Sequence, residues 1–266
     1  MHGAGTVRAE FKHDIDTVRS ALLGVNNDTA QKDCKMIKGI IFDKDGTLFD
    51  FNATWGPSTR GMIASETGGD PVRMAEMADV LGYDLKAGVF VPGSLVIAET
   101  VSTVADAMLG LLPDVTKPEL MARMKAATKH VPQVEPTPLR PVLDALHSMG
   151  LTLGVATNDA EEPALANLAH VIDKFAFIAG FDSGFGGKPA PGQLLGFCAQ
   201  TDLDPTNCIM VGDSLHDLHA GRAAGMMCVG VLTGPAERAE LTPHADVVLG
   251  TIAELPTWIM AQNARW

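Results

Sequence analysis

Apolar positions fall into two rhythms along this chain. Residues 38–42 read as a buried strand whose core, Ile40-Ile41-Phe42, stops abruptly at Asp43-Lys44-Asp45-Gly46-Thr47. From about residue 54 to 132 the pattern is helical. Candidate helices cover 71–81, 95–111 and 118–129, with breaks at Gly68-Gly69, Gly88, Pro92-Gly93 and Pro113. Pro132, Pro136 and Pro138 crowd into 131–138, which reads as a stiff connector. The rhythm then alternates: helix 139–149 closed by Gly150, strand 151–156, helix 162–170, strand 175–178, helix 191–200, strand 208–211, helix 215–224, and strands 228–232 and 246–249.

Alternating strands and helices predict an α/β fold, a Rossmann-like parallel sheet covered on both faces. The helical stretch interrupts it, so the expected organisation is a core of 36–50 with 137–266 and a helical insertion at 51–136. Residues 1–35 are polar and unlike the rest. Phe11, Ile15, Val18 and Leu22 recur there at helical spacing, so one amphipathic helix fits a dispensable N-terminal extension.

Composition narrows the classes. A formal charge of -12 over 266 residues argues against nucleic acid as a partner, since a phosphate backbone demands surplus Lys and Arg. The most apolar stretch, 89–113, is interrupted by Glu99 and Asp106, so no membrane span is expected, and no apolar signal segment is visible near the N-terminus. Cys34, Cys198, Cys208 and Cys228 show no CxxC spacing and read as buried thiols of a reducing cytoplasm.

The chemistry collects where strands end. Asp43 and Asp45 follow the first strand, Thr157-Asn158-Asp159 the second and Gly212-Asp213-Ser214 the fourth, while Gly186-Gly187-Lys188-Pro189 precedes a helix. Parallel sheets place ligands in the crevice at those carboxyl ends. Two carboxylates at one strand end repel each other and are costly to desolvate. The pair makes sense around a cation, or with one carboxylate attacking a substrate while the other handles a proton.

Taken in order, Asp43-Lys44-Asp45-Gly46-Thr47, Thr157-Asn158, Lys188 in Gly-Lys-Pro, and Gly212-Asp213-Ser214-Leu215-His216-Asp217 resemble the four motifs of the haloacid dehalogenase superfamily, in its phosphoglycolate-phosphatase-like branch. The resemblance runs from about residue 35 to the end and implies a helical cap in the insertion. It implies Asp43 as nucleophile, giving an aspartyl phosphate, and Asp45 as general acid and then base. Gly46 would turn the backbone and present its N–H to phosphate, beside the Thr157 hydroxyl and the Asn158 N–H. Lys188 would counter the transition-state charge. Asp213 and Asp217, one helical turn apart, suit a hard cation; the resemblance implies Mg²⁺, with Asp43 and the Asp45 carbonyl completing its ligands. Dehalogenases of the superfamily lack the second aspartate of the first motif, so Asp45 argues for phosphoryl transfer. Lys44 stands where Leu or Met is common.

Of the neighbours, Thr47 is expected to buttress the loop, and Lys44 to point away from the Asp pair by strand alternation. His216 is expected at the site rim, with His219 facing solvent. Trp55, Arg60, Phe90, Arg123 and Lys129 are the insertion residues that could meet substrate, though packing or solvation is the plainer reading of each. The expected function is a Mg²⁺-dependent phosphatase acting on a small phosphorylated metabolite, with 2-phosphoglycolate a candidate. A phosphomutase of the β-phosphoglucomutase type shares every core residue and stays open. A non-catalytic binding module would be expected to have lost Asp43 or Asp45. Both monomer and homodimer are compatible with the sequence.

Overall fold

The first strand, β1 (Gly39–Phe42), is buried along its whole length. Its alternation sends Ile40 and Phe42 into one hydrophobic layer and Ile41 into another, so the strand needs cover on both faces. The computed structural model describes residues 36–98, 101–128 and 131–264. The N-terminal extension and its expected helix lie outside them.

After β1 the chain forms α1 (Phe51–Thr67), α2 (Pro71–Leu81), a short ribbon of β2 (Tyr83–Asp84) and β3 (Val89–Phe90), then α3 (Leu95–Ala98), α4 (Val101–Leu109) and α5 (Lys117–Thr128). The second half runs α6 (Leu139–Ser148), β4 (Thr152–Ala156), α7 (Glu161–Asn167), β5 (Phe177–Ala179), α8 (Gly192–Thr201), β6 (Cys208–Gly212), α9 (Leu215–Ala224), β7 (Met227–Val231), α10 (Arg238–Leu241), β8 (Val247–Leu249) and α11 (Leu255–Asn263).

Six strands form one parallel sheet in the order β5-β4-β1-β6-β7-β8. Numbered within the sheet alone this is 3-2-1-4-5-6, the doubly wound arrangement. The connections reverse direction between β1 and β6, which opens a crevice at their carboxyl ends. One face is packed by Leu139, Leu143 and Leu146 of α6 and by Leu255 and Ile259 of α11. The other is packed by Leu194 and Phe197 of α8 and Ala220 of α9. No helix among the described residues is long and apolar enough to cross a membrane.

The helices from α1 to α5 have their own apolar cluster, including Ile63, Met77, Leu81, Phe90, Met108 and Leu120. The chain leaves the sheet and returns to it side by side: Asp50 N–H donates to the Val134 carbonyl (2.8 Å) and Val134 N–H to Thr54 Oγ1 (3.1 Å). Asp50 also caps α1 by accepting from Ala53 N–H (2.8 Å). Segment 131–138 carries no helix or strand, as its prolines require.

Several expected elements differ. The helix expected at 95–111 comprises α3 and α4, with 99–100 between them outside the described residues. Helix α7 stops at Asn167 rather than reaching residue 170, and a 3₁₀ turn at Ile172–Lys174 follows. The β2–β3 ribbon and α11 have no counterpart in the sequence reading. Two-residue strands show no periodicity, and α11 has an N-terminus set by Thr251 and Glu254 around a 3₁₀ turn rather than by a strong apolar repeat.

Candidate active site

Strand β1 ends at Phe42, and the next residues fold into a tight turn in which the Lys44 carbonyl accepts from the N–H groups of Leu48 and Phe49 (both 3.0 Å). Asp43 N–H still bonds the Val211 carbonyl of β6 (2.8 Å), so the Asp43 carboxylate is fixed at the switch point. There it meets the end of β6 and the start of α9. Asp43, Asp213 and Asp217, all buried, present carboxylate oxygens within 4.8 Å of one another.

Lys188 enters from the loop before α8, with its ammonium 2.5 Å from Asp43 Oδ1 and 2.6 Å from Asp217 Oδ1. Asn158 locks that loop in register: its side chain accepts from Lys188 N–H (2.8 Å) and donates to the Lys188 carbonyl (2.9 Å). The other Asp217 oxygen accepts from Ser214 N–H (3.0 Å) and Ser214 Oγ (2.6 Å), so Asp217 also ties off the start of α9. Asp213 receives the Thr47 hydroxyl at 3.4 Å, which is the buttress expected of Thr47.

Charge does not balance in this cluster. Three buried carboxylates share one buried ammonium. Burial pushes the Asp43 carboxyl up to about 7; Lys188 opposes the rise, while Asp217 and Asp45 add to it. Asp213 is raised by burial and then by Asp217 and Asp43. Burial works against the charge on Lys188, but Asp217 and Asp43 outweigh it and the ammonium is held firmly protonated. A small pocket of surplus carboxylate oxygens is the donor set a hard divalent cation takes, so the residues fit such an ion.

Glycine is required twice around Asp213. Gly46 has φ +84, and a Cβ there would lie 2.4 Å from Asp213 Oδ2; at Gly234 it would lie 1.7 Å from the same atom. The Gly46 N–H, however, donates to the Phe49 carbonyl (2.7 Å) and does not face the crevice as a phosphate donor. Its expected N–H role is corrected accordingly: the turn that lets Asp213 approach is closed by that hydrogen bond. On the opposite wall the Thr157 hydroxyl, buried, accepts from Asp159 N–H (3.0 Å), which leaves its proton to donate elsewhere.

Lys44 overturns a second expectation. Strand alternation ends at Phe42, so it does not govern Lys44, whose ammonium lies 2.7 Å from Asp45 Oδ2 and 3.3 Å from Asp159 Oδ2, fully buried. Burial alone would depress its pKa; Asp45 and Asp159 more than reverse this. Asp45 Oδ1 accepts from Trp55 Nε1 of α1 (3.2 Å), so Asp45 is held between Lys44 and the helical insertion. Lys44→Met would leave Asp45 and Asp159 side by side without their cation. Both are partly solvated, so the expected loss is about 1–3 kcal/mol, below the figure for a fully buried pair. Urea unfolding reads it, and an unchanged midpoint would contradict the assignment.

The remaining sequence candidates separate cleanly. Trp55 and His216 line the crevice. Arg60 bonds the Leu85 carbonyl, Arg123 pairs with Glu66 (3.0 Å), and Phe90 is buried in the insertion cluster; Lys129 lies outside the described residues. His219 is exposed and faces His244 (Nε2 to Nδ1, 3.3 Å). Cys198, Cys208 and Cys228 are free and buried. Sequence reasoning passed over Thr233, whose hydroxyl donates to the Gly46 carbonyl (2.7 Å) and whose carbonyl accepts from Phe51 N–H (3.1 Å). It also passed over Gly234 and Gln193, whose amide donates to the Thr157 carbonyl (2.9 Å). The available signal was position: Thr233-Gly234 follows β7, the neighbour of β6.

This geometry can be set beside known proteins. A phosphoglycolate phosphatase of Agrobacterium fabrum is 31% identical over 218 residues, covering 81% of this chain and 89% of that one. A solved HAD family hydrolase from Deinococcus radiodurans R1, with bound phosphate and sodium, shares the fold with a TM-score of 0.65 at 21% identity, over 86% of this chain and 97% of that one. A beta-phosphoglucomutase structure from Clostridium difficile does so with a TM-score of 0.57 at 21% identity, over 86% and 98%. The sequence model for haloacid dehalogenase-like hydrolases matches residues 40–231, from the strand that leads into Asp43 to the end of β7. The chain therefore belongs to the haloacid dehalogenase-like hydrolase family.

Proposed function

We propose that the protein is a Mg²⁺-dependent phosphatase of a small phosphomonoester, working through an aspartyl phosphate on Asp43. The observation that carries this reading is the buried triad of Asp43, Asp213 and Asp217 around Lys188 at the sheet's switch point. The name of the Agrobacterium fabrum relative makes 2-phosphoglycolate the first ester to test. Three buried free thiols fit a cytoplasmic setting.

In the proposed reaction an Asp43 oxygen attacks phosphorus and the ester P–O bond breaks. The leaving alkoxide takes a proton from Asp45, which Trp55 and Lys44 hold at the crevice. Asp45, now a carboxylate, takes a proton from water as that water attacks the phosphorus of the aspartyl phosphate. Inorganic phosphate leaves and Asp43 is regenerated. Lys188 and the Thr157 hydroxyl stabilise the charge on the transferring group. A divalent ion held by Asp43, the Asp45 carbonyl and Asp213, with Asp217 beside it, would offset repulsion between the nucleophile and the anionic phosphate. Residues 51–136 act as a cap that excludes water and contacts the leaving group.

The test is phosphate release by the purified full-length protein from p-nitrophenyl phosphate and 2-phosphoglycolate. With Mg²⁺, turnover is expected; with EDTA, a loss of about 10³-fold that Mg²⁺ restores. Equal turnover in EDTA would overturn the metal requirement. No release from any ester would overturn the phosphatase reading.

A further inference from the structure

The crevice above Asp43 opens into a cavity of about 1010 Å³. That is the size of a site for a drug-sized ligand, far more than a two-carbon acid fills. Its floor is the charged cluster. Its far wall, supplied by α1 and α3 to α5, is mainly apolar: Trp55, Met62, Val96, Ile97, Val104 and Met121 face the space, with the hydroxyls of Ser58, Thr59 and Ser94 among them. Among the described residues no arginine lines it. The lysines that do are Lys188, committed to Asp43 and Asp217, and Lys125 of α5.

Asp43, Asp45 and Trp55 line the same cavity as this wall, so a leaving group on a phosphoryl bound at Asp43 would have the wall as its surroundings. A leaving group carrying a carboxylate or a row of hydroxyls would set most of those polar atoms against Met, Val and Ile side chains, with Ser58, Thr59 and Ser94 as the uncharged partners on that wall, at a desolvation cost. A hydrocarbon leaving group would instead exchange water for apolar contact. We infer that the substrates are phosphate monoesters of bulky apolar alcohols, with a branched or cyclic hydrocarbon of several carbons rather than a two-carbon acid or a sugar. The inference rests on the phosphatase reading above and specifies its leaving group. The apolar wall excludes water from the leaving oxygen, which favours proton delivery by Asp45.

The test is a chain-length series of n-alkyl phosphates from ethyl to octyl, in which leaving-group reactivity stays nearly constant. Ethyl phosphate, 2-phosphoglycolate and glucose 6-phosphate serve as small and polar comparators, and p-nitrophenyl phosphate reports the basic activity. Full burial of a methylene corresponds to about fourfold in binding, so kcat/KM is expected to climb by about 10²-fold or more across the series. Ile97→Asp is expected to flatten the climb, and the wild-type series stands without it should that variant fail to fold. A flat wild-type series, or a higher kcat/KM for 2-phosphoglycolate than for octyl phosphate, would overturn the inference and leave the phosphatase reading intact. No release from any ester, p-nitrophenyl phosphate included, would overturn both.

Discussion

Asp43→Asn is expected to lower phosphate release by at least about 10⁴-fold, the scale on which removing a covalent nucleophile acts. Asn is nearly isosteric and can still accept from the Lys188 ammonium, so the loss is chemical rather than structural. The fold should gain. Folding raises the Asp43 carboxyl from its ordinary 3.8 to about 7, chiefly through burial. A carboxyl whose pKa is raised by folding favours the native state while protonated. Its contribution to stability is lost as pH climbs from the unfolded value through the folded one. Without divalent ions, Asp43→Asn should therefore melt higher than the wild type, with the largest difference at and above neutral pH and little difference near pH 4. Mg²⁺ should narrow that gap by compensating the wild-type carboxylates. Phosphate release with thermal melts at two pH values, with and without Mg²⁺, checks both halves. A variant that keeps its turnover, or melts lower at neutral pH, would contradict the assignment.

Lys188→Met has the second largest expected effect, and it splits differently. The ammonium is the sole cation within hydrogen-bonding distance of Asp43 and Asp217 among the described residues. Removing it leaves three buried carboxylates uncompensated, at an expected cost of about 3–5 kcal/mol without metal. Turnover should fall by about 10²–10³-fold through lost stabilisation of the transferring group. Mg²⁺ should recover much of the stability, because a divalent ion balances the same carboxylates, but not the rate, because the phosphoryl oxygens still lack their cation. Chemical denaturation and phosphate release, each with and without Mg²⁺, separate the two. Recovery of rate together with stability would show that Lys188 is only a structural counter-ion.

The cluster of carboxylates and lysine was legible in the sequence because strand ends in a parallel sheet share one side. The unbroken apolar run before Asp43 and the alternation after residue 139 sufficed to bring Asp43, Thr157, Lys188, Asp213 and Asp217 to one crevice. Lys44 was misread for a related reason. Period-two alternation was extended one turn beyond the strand, into a segment whose backbone follows a hydrogen-bonded turn. The Gly46 N–H failed likewise, since a left-handed glycine in a turn spends its donor on closing it. Trp55 was named only as a residue that could meet substrate, and Thr233 and Gly234 were hard to see because their contacts join elements distant in sequence. Trp55, on the first helix of the insertion, meets Asp45, while Thr233 and Gly234 lie in the bend after β7 and meet Gly46 and Asp213. The apolar wall of the insertion read only as a helical pattern, and no spacing separates side chains that fill a core from those that line a cavity.

If phosphate passes through Asp43, the covalent intermediate can be trapped there. The full-length protein would be quenched with borohydride during turnover of p-nitrophenyl phosphate in Mg²⁺, converting an aspartyl phosphate to homoserine, and its peptides mapped by mass spectrometry. The expected result is homoserine at position 43, dependent on both substrate and Mg²⁺. Phosphate release with position 43 unmodified, or with the mark on another aspartate, would contradict the account.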